Sequence, residues 1–168
     1  MRIAVVGDFH YPQRCSSLIL FEELKKTEPE LIIGTGDYIS QSVIKELEKI
    51  TEFKGVCGNV DGAEINLPLR LELEIKGWKI AVFHSNEIYP RGDPYGIYAF
   101  WRDKKPDIIL FGHTHTPFFC FMGNCYLLNP GSFNGVISGE GVLPNPSFAV
   151  LEIEKENLNV TFISKRRE

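Results

Sequence analysis

The chain has four histidines, His10, His84, His113 and His115, and each follows closely on a run of apolar residues. The same junctions carry acids and an amide, in Gly7-Asp8-Phe9-His10, Gly36-Asp37, Gly58-Asn59-Val60-Asp61, His84 and Gly112-His113-Thr114-His115. Imidazole nitrogen, carboxylate oxygen and amide oxygen together suit a divalent transition ion. In α/β sheets ligand sites gather outside the carboxyl ends of the strands, so these five segments are expected to converge in space. A glycine beside a ligand lets the backbone turn sharply and approach an ion without a Cβ clash. In Asp8-x-His10 and His113-x-His115, residues two apart on an extended segment point to one side, so each pair is expected to grip one metal cluster. Taken singly, a His or Asp at a strand end is an ordinary turn or cap residue. Seven such residues at five strand ends, with no histidine left over, favour a metal site.

The elements that must position these residues alternate in the first half of the chain between β-branched runs and amphipathic stretches, the pattern of a βαβ arrangement. Arg2 to Val6, Glu30 to Ile33 and Phe53 to Cys57 read as buried strands, separated by helices over Leu18 to Lys26 and Ser40 to Ile50, the latter capped by its serine. From Leu69 strict alternation predicts a half-exposed antiparallel strand. Lys76 and Gly77 turn it back into Trp78 to Phe83. Asp93-Pro94 is a cap and first-turn pair for a helix to about Lys104. Asp107 to Phe111 is a further buried strand, and Pro117 to Met122, Cys125 to Leu128, Phe148 to Ile153 and Leu158 to Ile163 read as antiparallel strands around the turn-rich segment 129–146. The aromatics Tyr89, Tyr95, Tyr98, Phe100 and Trp101 read as the buried face of a helix rather than a base-stacking wall.

At 168 residues, 43% hydrophobic and 24% charged, the sequence supports one domain over residues 1–168 with a single sizeable core. A net charge of -4 with dispersed Lys and Arg gives no basic stripe for a nucleic-acid polymer. The opening MRIAVVGDFH lacks the length of a signal peptide, and no apolar run approaches the roughly 18 to 20 residues a bilayer demands. A cytoplasmic location is expected. Cys15, Cys57, Cys120 and Cys125 show no Cys-x-x-Cys spacing and read as small buried residues, although Cys120 and Cys125 flank a plausible turn.

In order and over nearly the whole length, the series of motifs resembles the signature of the calcineurin-like metallophosphoesterases, and the short length with Asn129-Pro130-Gly131-Ser132 resembles their small archaeal and bacterial phosphodiesterase branch. The resemblance implies an α/β fold, a four-layer α/β/β/α sandwich of two mixed sheets flanked by helices. It also implies one metal held by Asp8, His10 and His115, a second by Asn59, His84 and His113, and Asp37 bridging them. Manganese ranks first for the two divalent ions, with Ni, Fe, Co or Zn as alternatives. Two such ions roughly 3.5 to 4 Å apart can activate a bridging hydroxide and neutralise phosphoryl charge. The implied reaction is hydrolysis of a phosphodiester, or an activated phosphomonoester, with Asp37, Asn59 and His84 acting through the metal-held hydroxide.

Two departures stand out. Where many members carry a proton-donating His after the Asn, this chain has Val60, which leaves no general acid and favours good leaving groups. Ser85 and Asn86 stand where the family often has Gly and a further His. Asn59, Asn129 and Ser132 are candidate substrate contacts, the last two with turn formation as the equal alternative, and Asp61 is as well suited to orienting a ligand as to acid catalysis. The walls of a substrate pocket are expected from the loops 85–92 and 131–141. The segments 7–17, Pro90-x-Gly92-Asp93 and Pro146-Ser147-Phe148 also resemble the metallophosphoesterase-fold subunit of the retromer coat. That likeness supplies a rival reading, a scaffold for a protein partner, and leaves a homo-oligomer open. The retromer subunit's pattern has Asn at the bridging position, whereas Asp37 keeps the enzyme-like arrangement.

Overall fold

In strand β1 (Arg2–Val6) the side chains alternate between two apolar environments, Ala4 and Val6 on one side, Ile3 and Val5 on the other, and that alternation sets the layering. The computed structural model describes residues 1–139 and 141–167. Helices α1 (Phe21–Lys26) and α2 (Gln41–Glu48) place Leu24, Val43, Ile44 and Leu47 on Ala4, Val6 and Ile32. Helix α3 (Pro94–Trp101) places Ile97 and Trp101 on Ala81, Phe83, Ile109 and Leu127. Between these layers, Ile3, Val5 and Ile33 of one sheet meet Ile80, Val82, Ile108 and Leu110 of the other. Three apolar interfaces therefore separate four layers, α/β/β/α, as the family resemblance implied.

The first sheet has the order β10-β9-β1-β2-β3, built from β1, β2 (Leu31–Gly34), β3 (Phe53–Gly55), β9 (Ser147–Ile153) and β10 (Leu158–Ser164). The second has the order β4-β5-β6-β8-β7, from β4 (Arg70–Ile75), β5 (Trp78–Phe83), β6 (Ile108–Phe111), β7 (Phe118–Met122) and β8 (Cys125–Asn129). In each sheet the central strands are parallel, β1 with β2 and β2 with β3, β5 with β6 and β6 with β8. Both sheets thus open their carboxyl ends toward one place.

Local chemistry accounts for the element ends. The Ser40 hydroxyl accepts from the Ser42 N–H, and the Asp93 carboxylate from the Gly96 N–H at 2.9 Å. Five expectations need correction. Helix α1 begins at Phe21, not Leu18, because the Ile19 N–H is drawn to the Asn134 amide oxygen at 2.9 Å and no side chain caps the earlier turn. Strand β3 stops at Gly55. Helix α3 ends at Trp101 and tightens into a 3-10 turn over Arg102–Lys104. Strand β8 runs parallel to β6, since the β7–β8 hairpin folds back so that β8 lies inside and β7 outside. Of the aromatics assigned to a buried helical face, Trp101 is buried, but Tyr89 and Tyr95 are exposed. All four cysteines are free thiols.

Candidate metal centre

Five loops leave the carboxyl ends of β1, β2, β3, β5 and β6, and main-chain hydrogen bonds tie them together. The Asp8 N–H donates to Gly36 O at 3.0 Å, and the His10 N–H to Asp37 O at 2.9 Å. The Asp61 carboxylate accepts from the N–H groups of Asp37, Ile39 and Gly58 at 2.9, 2.7 and 2.8 Å. Each such charge-assisted bond is worth about 1.5 to 3 kcal/mol. Asp61 thereby locks the loop bearing Asp37 to the loop bearing Asn59.

The residues expected to share a side by strand alternation reach their positions in another way. Asp8, His10, Asp37, His113 and His115 all have φ between 48° and 70°, in the left-handed region. That conformation is uncommon for residues with a Cβ and costs of order 1 to 3 kcal/mol at a strained site. The loop bonds hold it in place. The close approach also requires glycine at two points: a Cβ on Gly58 would lie 2.0 Å from Asp37 Oδ1, and one on Gly36 would lie 2.8 Å from His84 Nδ1. Ser85, where the family often has Gly, keeps a φ of 76° and donates its hydroxyl to Gly112 O.

Two groups of donor atoms result. Asp8, His10, Asp37 and His115 are buried and offer ligand atoms within 4.8 Å of one another. His10 Nε2 faces His115 Nε2 at 3.0 Å, and His115 Nε2 lies 3.5 Å from Asp8 Oδ1. On the other side His84 Nε2 lies 3.0 Å from Asn59 Oδ1 and 3.3 Å from His113 Nδ1. Asp37 Oδ2 stands between the groups, 3.4 Å from His10 Nε2 and 3.3 Å from His84 Nε2. The structure therefore brings all seven residues together.

The donor set fits cations. The His84 Nδ1–H donates to Thr35 O at 2.8 Å and the His115 Nδ1–H to Val136 O at 2.6 Å, so in the neutral rings each Nε2 turns a lone pair inward. Buried Asp8 Oδ2 has no hydrogen-bond partner. Facing nitrogens and a bare carboxylate oxygen, buried together, lack a positive charge to share.

The electrostatics carry the same imprint. Burial drives the Asp8 carboxyl up to about 7, outweighing the charge of His84. Burial alone would lower His84, but its hydrogen bond to Asp37 and the charges of Asp8 and Asp37 raise it to about 9. Burial also opposes ionisation of Asp37, yet the hydrogen bond and charge of His84 and the Val60 N–H hold its carboxyl below the ordinary value. Burial, with the charges of His84 and Arg91, lowers His113 to about 4, and burial lowers His115 to about 4 despite the Val136 carbonyl.

A cavity of about 220 Å³ opens over the cluster, lined by His10, Asp37, Asn59, Val60, His113 and His115 together with Arg14, Arg91, Ser138 and Gly139. The two arginines were not singled out by sequence. Arg91 donates to His113 O and Arg14 to Ile137 O. Arg91 lies in the expected 85–92 wall and Ser138 and Gly139 in the 131–141 wall, of which Glu140 falls outside the described residues. Asn129 and Ser132 do not line the cavity. Both are fully buried, Asn129 donating to Gly112 O at 2.8 Å and Ser132 to Asp8 O at 2.7 Å, so they brace the loops that carry His113 and Asp8.

A family model described as the calcineurin-like phosphoesterase superfamily domain matches residues 1–156. A probable metallophosphoesterase of Methanothermobacter thermautotrophicus is 33% identical over 166 residues, covering 97% of this chain and 92% of that protein. Vacuolar protein sorting-associated protein 29 of Schizosaccharomyces pombe is 28% identical over 161 residues, covering 92% of this chain and 86% of that protein. The crystal structure of wild-type Vps29 from Entamoeba histolytica, complexed with zinc, superposes with a TM-score of 0.85 at 26% identity, covering 98% of this chain and 99% of that one.

Proposed function

The chain belongs to the calcineurin-like phosphoesterase superfamily, and from that premise we propose that it is a metal-dependent phosphoesterase hydrolysing a phosphodiester or an activated phosphomonoester. The observation that carries the reading is the place of Asp37 Oδ2, within 3.4 Å of His10 and 3.3 Å of His84 and flanked by a complete donor group on either side. Asp8, His10 and His115 would hold one divalent ion, Asn59, His84 and His113 the other, and Asp37 both. When bound, the ions would supply Lewis acidity to activate water and positive charge to neutralise the phosphoryl oxygens.

The rest follows from the chain's own groups. The Thr35 and Val136 carbonyls fix the His84 and His115 rings, so the donor nitrogens are oriented before any ligand arrives. The Arg14 and Arg91 guanidiniums border the cavity and would attract a phosphoryl anion. Val60 lines the same cavity and has no proton to give, so the leaving oxygen departs with most of its charge. The mixed donor set admits Mn, Ni, Fe, Co and Zn. The zinc complex of Entamoeba Vps29 makes zinc a second ion to test beside manganese. Among the described residues no helix is long and apolar enough to cross a membrane, and a cytoplasmic location belongs to the same reading.

The rival, a scaffold for a protein partner, draws on the Vps29 likeness and on Val60, an apolar side chain 41% exposed at the cavity. Metal-depleted protein re-supplied with each divalent ion and offered an aryl phosphodiester and an aryl phosphomonoester separates the two. Metal-dependent turnover, faster on the diester, is expected of the enzyme. Two bound ions with no turnover on either ester would favour the scaffold.

A further inference from the structure

Each sheet has two edges, and three of the four are guarded. Strand β3 has only three residues. Strand β4 exposes Arg70, Glu72 and Glu74. Strand β10 exposes Asn159 and Thr161 and runs into Lys165, Arg166 and Arg167. Charge and brevity are the usual defences of an edge against strand addition. The fourth edge, β7, reads Phe-Phe-Cys-Phe-Met, with no charge, no proline and no bulge.

Its main chain is set for one pairing. Strands β7 and β8 close on the two-residue turn Gly123-Asn124, both at positive φ, with Met122 opposite Cys125. Such a turn closes on a hydrogen-bonded pair, so Met122, Cys120 and Phe118 bond inward to β8 while the N–H and C=O of Phe119 and Phe121 point outward. The side chains of those two residues are 41% and 61% exposed and rest on Tyr126, with ring centroids 5.7 and 4.8 Å away.

We propose that two copies of this chain associate through β7, antiparallel about a two-fold axis at Cys120, joining their second sheets into one. The sequence of the strand argues for a second copy over a foreign strand, because it complements itself. About Cys120, Phe119 faces the partner's Phe121 and Phe121 the partner's Phe119, so the four outward groups of each copy meet those of the other. Phe118 faces the partner's Met122, no like charges meet, and Pro117, which lacks an N–H, falls outside the paired residues. The operation closes on itself, as a two-fold interface must. Cys120 then faces its own copy in a non-hydrogen-bonded pair, where Cα atoms lie about 4.5 Å apart. That separation is within the roughly 4.4 to 6.8 Å a disulfide spans.

The proposal is independent of the metal site. Sedimentation velocity of the full chain over micromolar to tens of micromolar concentrations should give twice the mass of one chain. Phe121→Lys, with unchanged circular dichroism, should give the mass of one. Mild oxidation should link wild-type chains in pairs on a non-reducing gel, and Cys120→Ser should lose the link. A single-chain mass for the wild type throughout, or a folded Phe121→Lys that stays dimeric, would overturn the proposal. Should that variant fail to fold, the thiol decides: linkage lost in Cys120→Ser supports the pairing, and a dimer that does not link through Cys120 overturns it.

Discussion

The two halves of the candidate centre differ in their access to water. Asp8, His10 and His115 are buried, whereas on the other side only His84 is buried, His113 is partly exposed and Asn59 is exposed. The buried half is braced from behind by the Ser132 hydroxyl and the Val136 carbonyl, although His10 and His115 also line the cavity, and the more exposed Asn59 and His113 of the open half share that lining with Val60 and Arg91. An ion in the buried half is enclosed by more charge and less solvent, and electrostatic attraction strengthens as water is excluded. The proposed substrate would approach from the open half. In the proposed two-ion centre the buried half would be the holding site and the open half the working site, with Asp37 common to both.

The largest expected effect comes from removing what the halves share. Asp37→Ala should lower occupancy on both sides and cut hydrolysis by about 10³-fold or more, since the ions' contribution is several kcal/mol and each 1.36 kcal/mol is tenfold. Elemental analysis beside an aryl ester assay checks it. Near-normal turnover would break the bridge assignment.

A second effect belongs to the open half alone. Val60→His places an imidazole at the cavity, and general acid catalysis typically contributes about 10² to 10⁴-fold. In a leaving-group series at equal metal content, the parent should show rates rising steeply as the leaving group's pKa falls. The variant should gain chiefly on poor leaving groups. Equal slopes for the two would mean that another residue already gives the proton.

A smaller effect tests the coupling by pH. In the metal-free chain Asp8, at about 7, is protonated in part at neutral pH and His84, at about 9, almost wholly, while His113 and His115, at about 4, are not. Ions need the unprotonated atoms, so binding releases protons, and affinity rises as pH climbs through 7 and on through 9. Calorimetry at pH 7 in buffers of different ionisation enthalpy should register that release, and buffer-independent heats would contradict it.

Much of this arrangement was legible from residue type and spacing. The five polar strand ends, the Ser40 and Asp93 caps and the alternation in β4 depend on near neighbours, and near neighbours suffice to read them. The left-handed backbone of Asp8 and His113 was not legible, because bonds between loops far apart in the chain impose it, such as the His113 N–H to Asp8 Oδ1 at 3.2 Å. The bracing roles of Asn129 and Ser132 were hidden for the same reason, since each bonds a carbonyl on a distant loop. Arg14 and Arg91 were not singled out as site residues, because only the folded chain brings them to one cavity. The parallel setting of β8 followed from which strand of a hairpin lies inward, and hairpin periodicity is silent on that.

The central claim, one shared carboxylate between a buried and an open ion site, is tested most directly by counting ions. Metal-depleted wild type, Asn59→Ala and His115→Ala would each be saturated with manganese or zinc, challenged with a graded chelator series, and measured by elemental analysis per chain. The wild type should hold two ions, released in two steps with the open site emptying first. Asn59→Ala should lose the early step and His115→Ala should weaken the late one. A single ion at saturation, or two ions released together in all three proteins, would contradict it.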